Sequence, residues 1–158
     1  MKKLNITFGT ILVALGCFAF SPAAKANPTI VGLWHVSLYL DPDHTQLLAE
    51  TYKQWHSDGL EFESANLAPG ALCVGTWKQM ANTVSLYHVG WTYGSPPGTV
   101  RFVETETNRV SLDGNSYDGT AQQTFYDENG NPVLGPIPLY IHATRLPSAD
   151  QLNGITDK

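Results

Sequence analysis

The chain has 158 residues, 42% of them hydrophobic, with 14 acidic and nine basic side chains and a net charge of −5. This acidic balance, without a cluster of Lys or Arg, argues against binding to nucleic acid or to an anionic membrane surface, because both need concentrated positive charge. The length suits one domain with a single hydrophobic core.

Residues 1–26 are predicted to form a secretory signal peptide. Two lysines precede a mostly apolar run over 6–20, which is too short for a membrane span, and an Ala-Lys-Ala cleavage site ends at Ala26. We therefore expect an exported protein, periplasmic or secreted, whose mature chain starts at Asn27. Removal of residues 1–26 leaves six basic and 14 acidic side chains, and hence a net charge of −8.

Cysteine usage excludes an internal disulfide in the mature chain. Cys17 falls within the predicted signal, where the preceding residues fit a lipid-attachment box poorly, and Cys73 remains. The fold must therefore be stabilised by packing or by a partner. A lone cysteine is typically buried and inert, and the alternative is a thiol that faces a pocket.

The mature chain has the pattern of an all-β protein. Runs rich in β-branched and aromatic residues alternate with turn signals, and Asp113-Gly114 and Asn129-Gly130 are typical of tight hairpins. The stretch 46–52 is the one that suits a helical turn. Strands are predicted near residues 30–40, 49–57, 59–64, 71–80, 83–93, 99–110, 115–126 and 137–146.

Eight sequential hairpin-linked strands close readily into an antiparallel up-and-down barrel, because closure leaves no sheet edge exposed. We expect residues 27–147 to form this single barrel domain and residues 148–158 to form a loose polar tail. A barrel of eight strands has an interior that side chains just fill or that holds one small ligand.

Strand alternation predicts which side chains line the interior. Lys53 and Lys78 favour water, so their strand neighbours are expected to face inward. The predicted ligand-binding residues are Tyr52, His56, Cys73, Trp77 and His88. The carboxylate pairs Glu61/Glu63 and Glu104/Glu106 resemble glycosidase pairs in residue type, but on strands they are expected to form solvated outer faces.

The spacing of the histidines along the sequence does not predict a metal site, because it matches no metal-ligand motif. Convergence of His56, His88 and Cys73 in space would nevertheless suit zinc, and a single inward histidine would suit a haem axial position. The segment from Trp55 to Gly59 contains Ser, His and Asp. It does not form a triad, because adjacent strand residues point to opposite faces.

Two motifs at opposite ends of the mature chain carry a resemblance to a known group. Gly32-Leu33-Trp34 on the first strand and Arg145 on the last resemble the lipocalin/calycin group of small β-barrels. That resemblance implies a calycin-like barrel with a hollow interior, in which Trp34 closes one end and Arg145 covers its ring. It implies structural rather than catalytic roles for Gly32, Trp34 and Arg145. The disulfide pair of secreted lipocalins is missing, and avidin-like and ten-stranded fatty-acid-binding barrels remain alternatives.

The leading functional hypothesis is an exported barrel that binds a small, largely apolar molecule in its interior. An aromatic-lined cavity with a few polar groups holds such ligands. The second hypothesis is a small isomerase, cyclase or hydratase that uses an interior His56 or His88 as acid and base. The third is a non-catalytic envelope protein with a filled core and a protein partner.

Overall fold

The computed structural model describes residues 28–154, which fold into a closed antiparallel barrel of eight strands in sequential order. Each strand pairs with the next, and the last pairs with the first. The strands are β1 (Gly32–Tyr39), β2 (Leu47–Trp55), β3 (Leu60–Ala65), β4 (Cys73–Met80), β5 (Thr83–Trp91), β6 (Arg101–Val110), β7 (Ser116–Tyr126) and β8 (Pro132–Arg145). The predicted up-and-down barrel is thus confirmed, whereas the predicted signal peptide lies outside the described residues.

The helical turn predicted over 46–52 is wrong. Residues 47–52 belong to β2, where Ala49 and Thr51 are buried while Glu50 and Tyr52 are exposed. The two-residue alternation and the pairing of β2 with both neighbours outweigh a local helical preference. A short 3-10 helix instead follows the barrel, over Ala149–Gly154. Within residues 28–154, no helix is long and apolar enough to cross a membrane.

The apolar core fills one end of the barrel, which we call the closed end. Trp34, Trp55 and Tyr117 are buried there, and the Tyr117 ring packs edge-on against both indoles, with centroids 4.8 and 6.2 Å apart. The Trp34 indole Nε1 donates a hydrogen bond of 2.7 Å to the carbonyl oxygen of Ile30. These contacts fix the Trp34 side chain inside the barrel, as the resemblance to lipocalin-like barrels implies.

Arg145 covers this closed end. Its guanidinium carbon lies 4.2 Å from the centroid of the Trp34 ring, so the predicted contact between the first and last strands is present. The guanidinium also donates hydrogen bonds to the carbonyl oxygens of Gly114 at 2.6 Å, Val31 at 2.7 Å and Thr29 at 2.5 Å. Gly32 has a φ of 137°, and a Cβ there would lie 2.5 Å from Nη1 of Arg145. The glycine of Gly-x-Trp therefore makes room for the arginine.

Candidate functional site

A cavity of about 380 Å³ occupies the half of the barrel away from the closed end. Its outer part is formed by the loops that follow β1, β3 and β5, and its walls are mainly aliphatic and aromatic. Glu63, Glu104 and Gln123 also line it, and they lie near the middle of the barrel. The cavity therefore has apolar walls and a polar inner end.

Beneath that inner end lies a group of buried ionisable side chains, which we call the interior charge cluster. Its members come from β2, β3, β5 and β6 and are each at most 4% exposed. They are Lys53, Glu61, Glu63, His88, Glu104 and Glu106. Buried charges are costly unless they are paired, so the pairing within this cluster decides whether the fold tolerates it.

Lys53 is the central cation of the cluster. Its Nζ contacts the Glu106 carboxylate and lies 3.5 Å from Oε2 of Glu63 and 4.0 Å from Oε1 of Glu104. Burial alone would disfavour the charged amine, but the surrounding carboxyl groups, Glu106 foremost, raise the pKa of Lys53 well above its usual value. Lys53 is therefore a fixed positive charge in the barrel interior.

The pKa values of Glu104 and Glu106 are shifted in opposite directions, although Lys53 lowers both. Burial opposes ionisation of Glu106, but Lys53 and hydrogen bonds, one of them from Asn108, hold its pKa at about 2. Burial and the neighbouring Glu106 charge raise the pKa of Glu104 well above its usual value. The two carboxyl groups interact, and Glu106 loses its proton at a lower pH than Glu104 does.

His88 lies between the other two carboxyl groups. Its Nδ1 is 2.8 Å from Oε2 of Glu61, and its Nε2 is 3.1 Å from Oε2 of Glu63. The second contact is within ion-pair distance but is not aligned as a hydrogen bond, so Nε2 has no hydrogen-bond partner within the described residues. Burial disfavours the imidazolium, but the Glu63 charge and the contacts with Cys73 and Glu61 raise the pKa of His88 well above its usual value.

A glycine makes the Glu61–His88 contact possible. Glu61, Gly75 and His88 are successive partners across β3, β4 and β5. A Cβ at Gly75 would lie 2.8 Å from Oε2 of Glu61 and 2.7 Å from Cδ1 of Leu86. The space above Gly75 is therefore where the carboxylate and the imidazole meet.

The structure separates the five predicted ligand-binding residues. His88 is buried in the interior charge cluster, and Cys73 is 8% exposed and lines the cavity. Trp77 faces inward as predicted, but it packs against Trp55 near the closed end. Tyr52, 56% exposed, and His56 lie on the outside of the barrel. The ligand-binding roles of all five residues stay predictions.

The predicted facing of β2 is wrong, because Lys53 points into the barrel and not into water. Its face of the strand also carries Thr51 and Trp55, both buried. The large indole of Trp55 was the signal that could have identified this inward face. An inward lysine becomes tolerable because carboxylates from two other strands surround it, which alternation within one strand does not reveal.

The predicted solvated faces of the two glutamate pairs are also wrong. All four carboxyl groups are buried, and those of Glu63 and Glu104 reach the cavity. On β6, Glu104 and Glu106 share their face with Asn108 and with buried Val110. That apolar residue marks the inward face, but a pair of glutamates usually indicates a surface.

The chain was compared with protein-family models, with curated proteins and with solved structures, and no match was found. The eight-stranded antiparallel barrel is compatible with a calycin-like fold. The cavity and the interior charge cluster are therefore the features of the barrel that bear on its function.

Proposed function

We propose that this barrel binds a small, largely apolar molecule in its cavity. The observation that carries the proposal is the combination of apolar walls with Glu63, Glu104 and Gln123 at the inner end. Pockets for small ligands have volumes of roughly 300–1,000 Å³ and are mainly apolar with a few polar groups that fix orientation. The cavity, at about 380 Å³, falls within that range.

The inner end favours a ligand that donates hydrogen bonds. Glu63 and Glu104 offer carboxyl oxygens, and Gln123 uses its amide nitrogen to hold Glu104 at 3.0 Å. An anionic group would face the Glu63 carboxylate and a chain of net charge −5, whereas a hydroxyl, amide or amine group would find acceptors. We infer that the ligand enters with this polar group leading and that its apolar body fills the outer cavity.

We also propose that the protein is exported and binds its ligand after export. The two lysines near the N-terminus, the apolar run over 6–20 and the Ala-Lys-Ala sequence support export. The contact of Arg145 with the tryptophan of Gly-x-Trp supports a lipocalin-like barrel. An exported barrel with a cavity at one end would capture its ligand outside the cytoplasm.

Native mass spectrometry of the protein purified from its own cell envelope tests the proposal. We expect the barrel to retain a small organic molecule. Ala65 lines the cavity, so Ala65→Phe should fill it and abolish retention. Ser64→Phe is the matched control, because Ser64 is exposed and places the same ring outside. No retained molecule, or equal retention by both variants, would contradict a ligand in this cavity.

A further inference from the structure

The interior charge cluster contains a set of side chains with the arrangement of metal ligands. Glu61, Glu63 and His88 each offer one ligand atom, and these atoms all lie within 4.8 Å of one another. All three residues are buried. Carboxylate oxygen and imidazole nitrogen are donor atoms that suit a divalent transition-metal ion.

Two atoms of this set are left without hydrogen-bond partners within the described residues. They are Nε2 of His88 and Oε1 of Glu61, and both residues are at most 1% exposed. Buried polar atoms are normally satisfied, because each unsatisfied atom costs free energy. The unsatisfied Nε2 faces Glu63, which also lines the cavity.

The spacing of Nε2 and the Glu63 carboxylate matches two ligands of one ion. Zinc lies roughly 2.0–2.2 Å from nitrogen and oxygen ligands, so two of its ligands stand roughly 3–3.5 Å apart. Nε2 of His88 is 3.1 Å from Oε2 of Glu63. If Nδ1 donates its proton to Glu61 across their 2.8 Å contact, the lone pair of Nε2 is free to bind a cation.

We propose that His88 Nε2 and Glu63 coordinate one divalent transition-metal ion of the zinc class at the inner end of the cavity. Glu61 orients the imidazole from Nδ1, which is the role that carboxylates play behind metal-bound histidines. The remaining coordination positions face the cavity and are open to water or to a ligand. With only two direct protein ligands, and with Lys53 also close to Glu63, the ion is exchangeable.

The charge of the cluster supports a bound cation. The cluster has two side chains that can carry positive charge, Lys53 and His88, and four buried carboxyl groups, those of Glu61, Glu63, Glu104 and Glu106. A divalent ion adjacent to Glu63 would add positive charge beside these buried carboxyl groups.

Isothermal titration calorimetry of the metal-free protein with zinc chloride tests this site. We expect one zinc ion per chain. His88→Gln and Glu63→Gln should each abolish detectable binding, and Glu61→Gln should weaken it by about 10–100-fold, as is typical of lost orienting partners. His142→Gln is the control, because its imidazole lies on the outer face near His44 and its side chain is 44% exposed. This control should bind zinc as the wild type does.

Failure of zinc to bind the wild type, or loss of binding in His142→Gln alone, would overturn the proposal. If His88→Gln does not fold, X-ray absorption of the zinc-loaded wild type decides the question. One imidazole among the ligands supports the interior site, whereas two or none contradicts it. These measurements use the metal alone, so their outcome does not depend on whether an organic ligand binds the cavity.

Discussion

Glu61 and His88 meet inside the barrel across Gly75, with 2.8 Å between Oε2 and Nδ1. The contact joins side chains of β3 and β5 across the intervening strand β4, where Gly75 has no side chain to separate them. It orients the imidazole edge that faces Glu63, and Glu63 in turn lines the cavity. The absence of a side chain at Gly75 therefore allows the arrangement of Glu61 and His88 in the candidate site.

The first prediction concerns that glycine. Gly75→Ala should destabilise the protein by about 1–3 kcal/mol, because the new methyl group would overpack against Glu61 and Leu86 and lie 2.9 Å from the Tyr87 carbonyl oxygen. Urea denaturation measures the free energy of unfolding. Thr76→Ala, at the exposed next position, is the control and should lose much less. Equal losses in the two variants would show that the space above Gly75 is not needed.

The second prediction concerns Lys53. Lys53→Met should cost about 3–5 kcal/mol, because it leaves buried carboxyl groups without their cation. Adding Glu106→Gln removes the carboxylate that the lysine contacts most closely, so the double variant should recover part of this loss in a double-mutant cycle. Lys78→Met, on an exposed position of β4, is the control. Additive losses would contradict the proposed pairing of Lys53 with Glu106.

The third prediction concerns the acid limb, by which we mean the fall in the free energy of unfolding at low pH. The folded-state pKa of Glu106, about 2, lies below its ordinary value of 4.5. A lowered folded-state pKa stabilises the protein above the ordinary value, and this contribution is lost as the pH falls from 4.5 towards 2. Glu106→Gln should therefore flatten the acid limb when urea denaturation is repeated across this range. Glu128→Gln, on the exposed β7–β8 loop, should follow the wild type.

The fourth prediction concerns the alkaline limb, by which we mean the fall in the free energy of unfolding as the pH rises. The pKa of Glu104 is raised, so the contribution of its neutral form is complete below 4.5 and is lost as the pH rises through the folded-state pKa. His88 has the same sign, because its raised pKa gives stability below 6.5 that disappears at higher pH. Glu104→Gln mimics the protonated carboxyl group and should lose less stability than the wild type as the pH rises. An unchanged alkaline limb would show that Glu104 is already ionised.

The fifth prediction concerns Arg145. Arg145→Ala should cost about 1–3 kcal/mol, through loss of the contact with the Trp34 ring and of hydrogen bonds to three carbonyl groups. Arg101→Ala is a matched comparison, since Arg101 lies 4.3 Å from the ring centroid of Tyr126, which is only half-buried. It should cost less. Ligand retention should survive in Arg145→Ala, because Arg145 lies at the end opposite the cavity.

Residue patterns in the sequence predict the barrel architecture and the contact at its closed end. Eight β-rich runs with turn residues between them predicted the strands, and Gly-x-Trp with Arg145 predicted the contact of the first and last strands. The strand signals are local, because turn chemistry and strand propensity act over a few residues. The contact of Trp34 with Arg145 joins distant parts of the chain, and it was expected from the resemblance to the lipocalin/calycin group. On β4, strand alternation with Lys78 facing water correctly places Cys73 on the inward face, and His88 on β5 also faces inward as predicted.

The burial of charged side chains inside the barrel could not be predicted from the sequence. Whether Lys53 faces water or the barrel depends on the carboxyl groups of Glu63, Glu104 and Glu106, which lie on β3 and β6 and approach it only after barrel closure. The free energy of burying an ion depends on its partners in space, and alternation along one strand carries no information about them. The cavity has the same origin, since its volume is what remains after the side chains of all the strands and loops are packed.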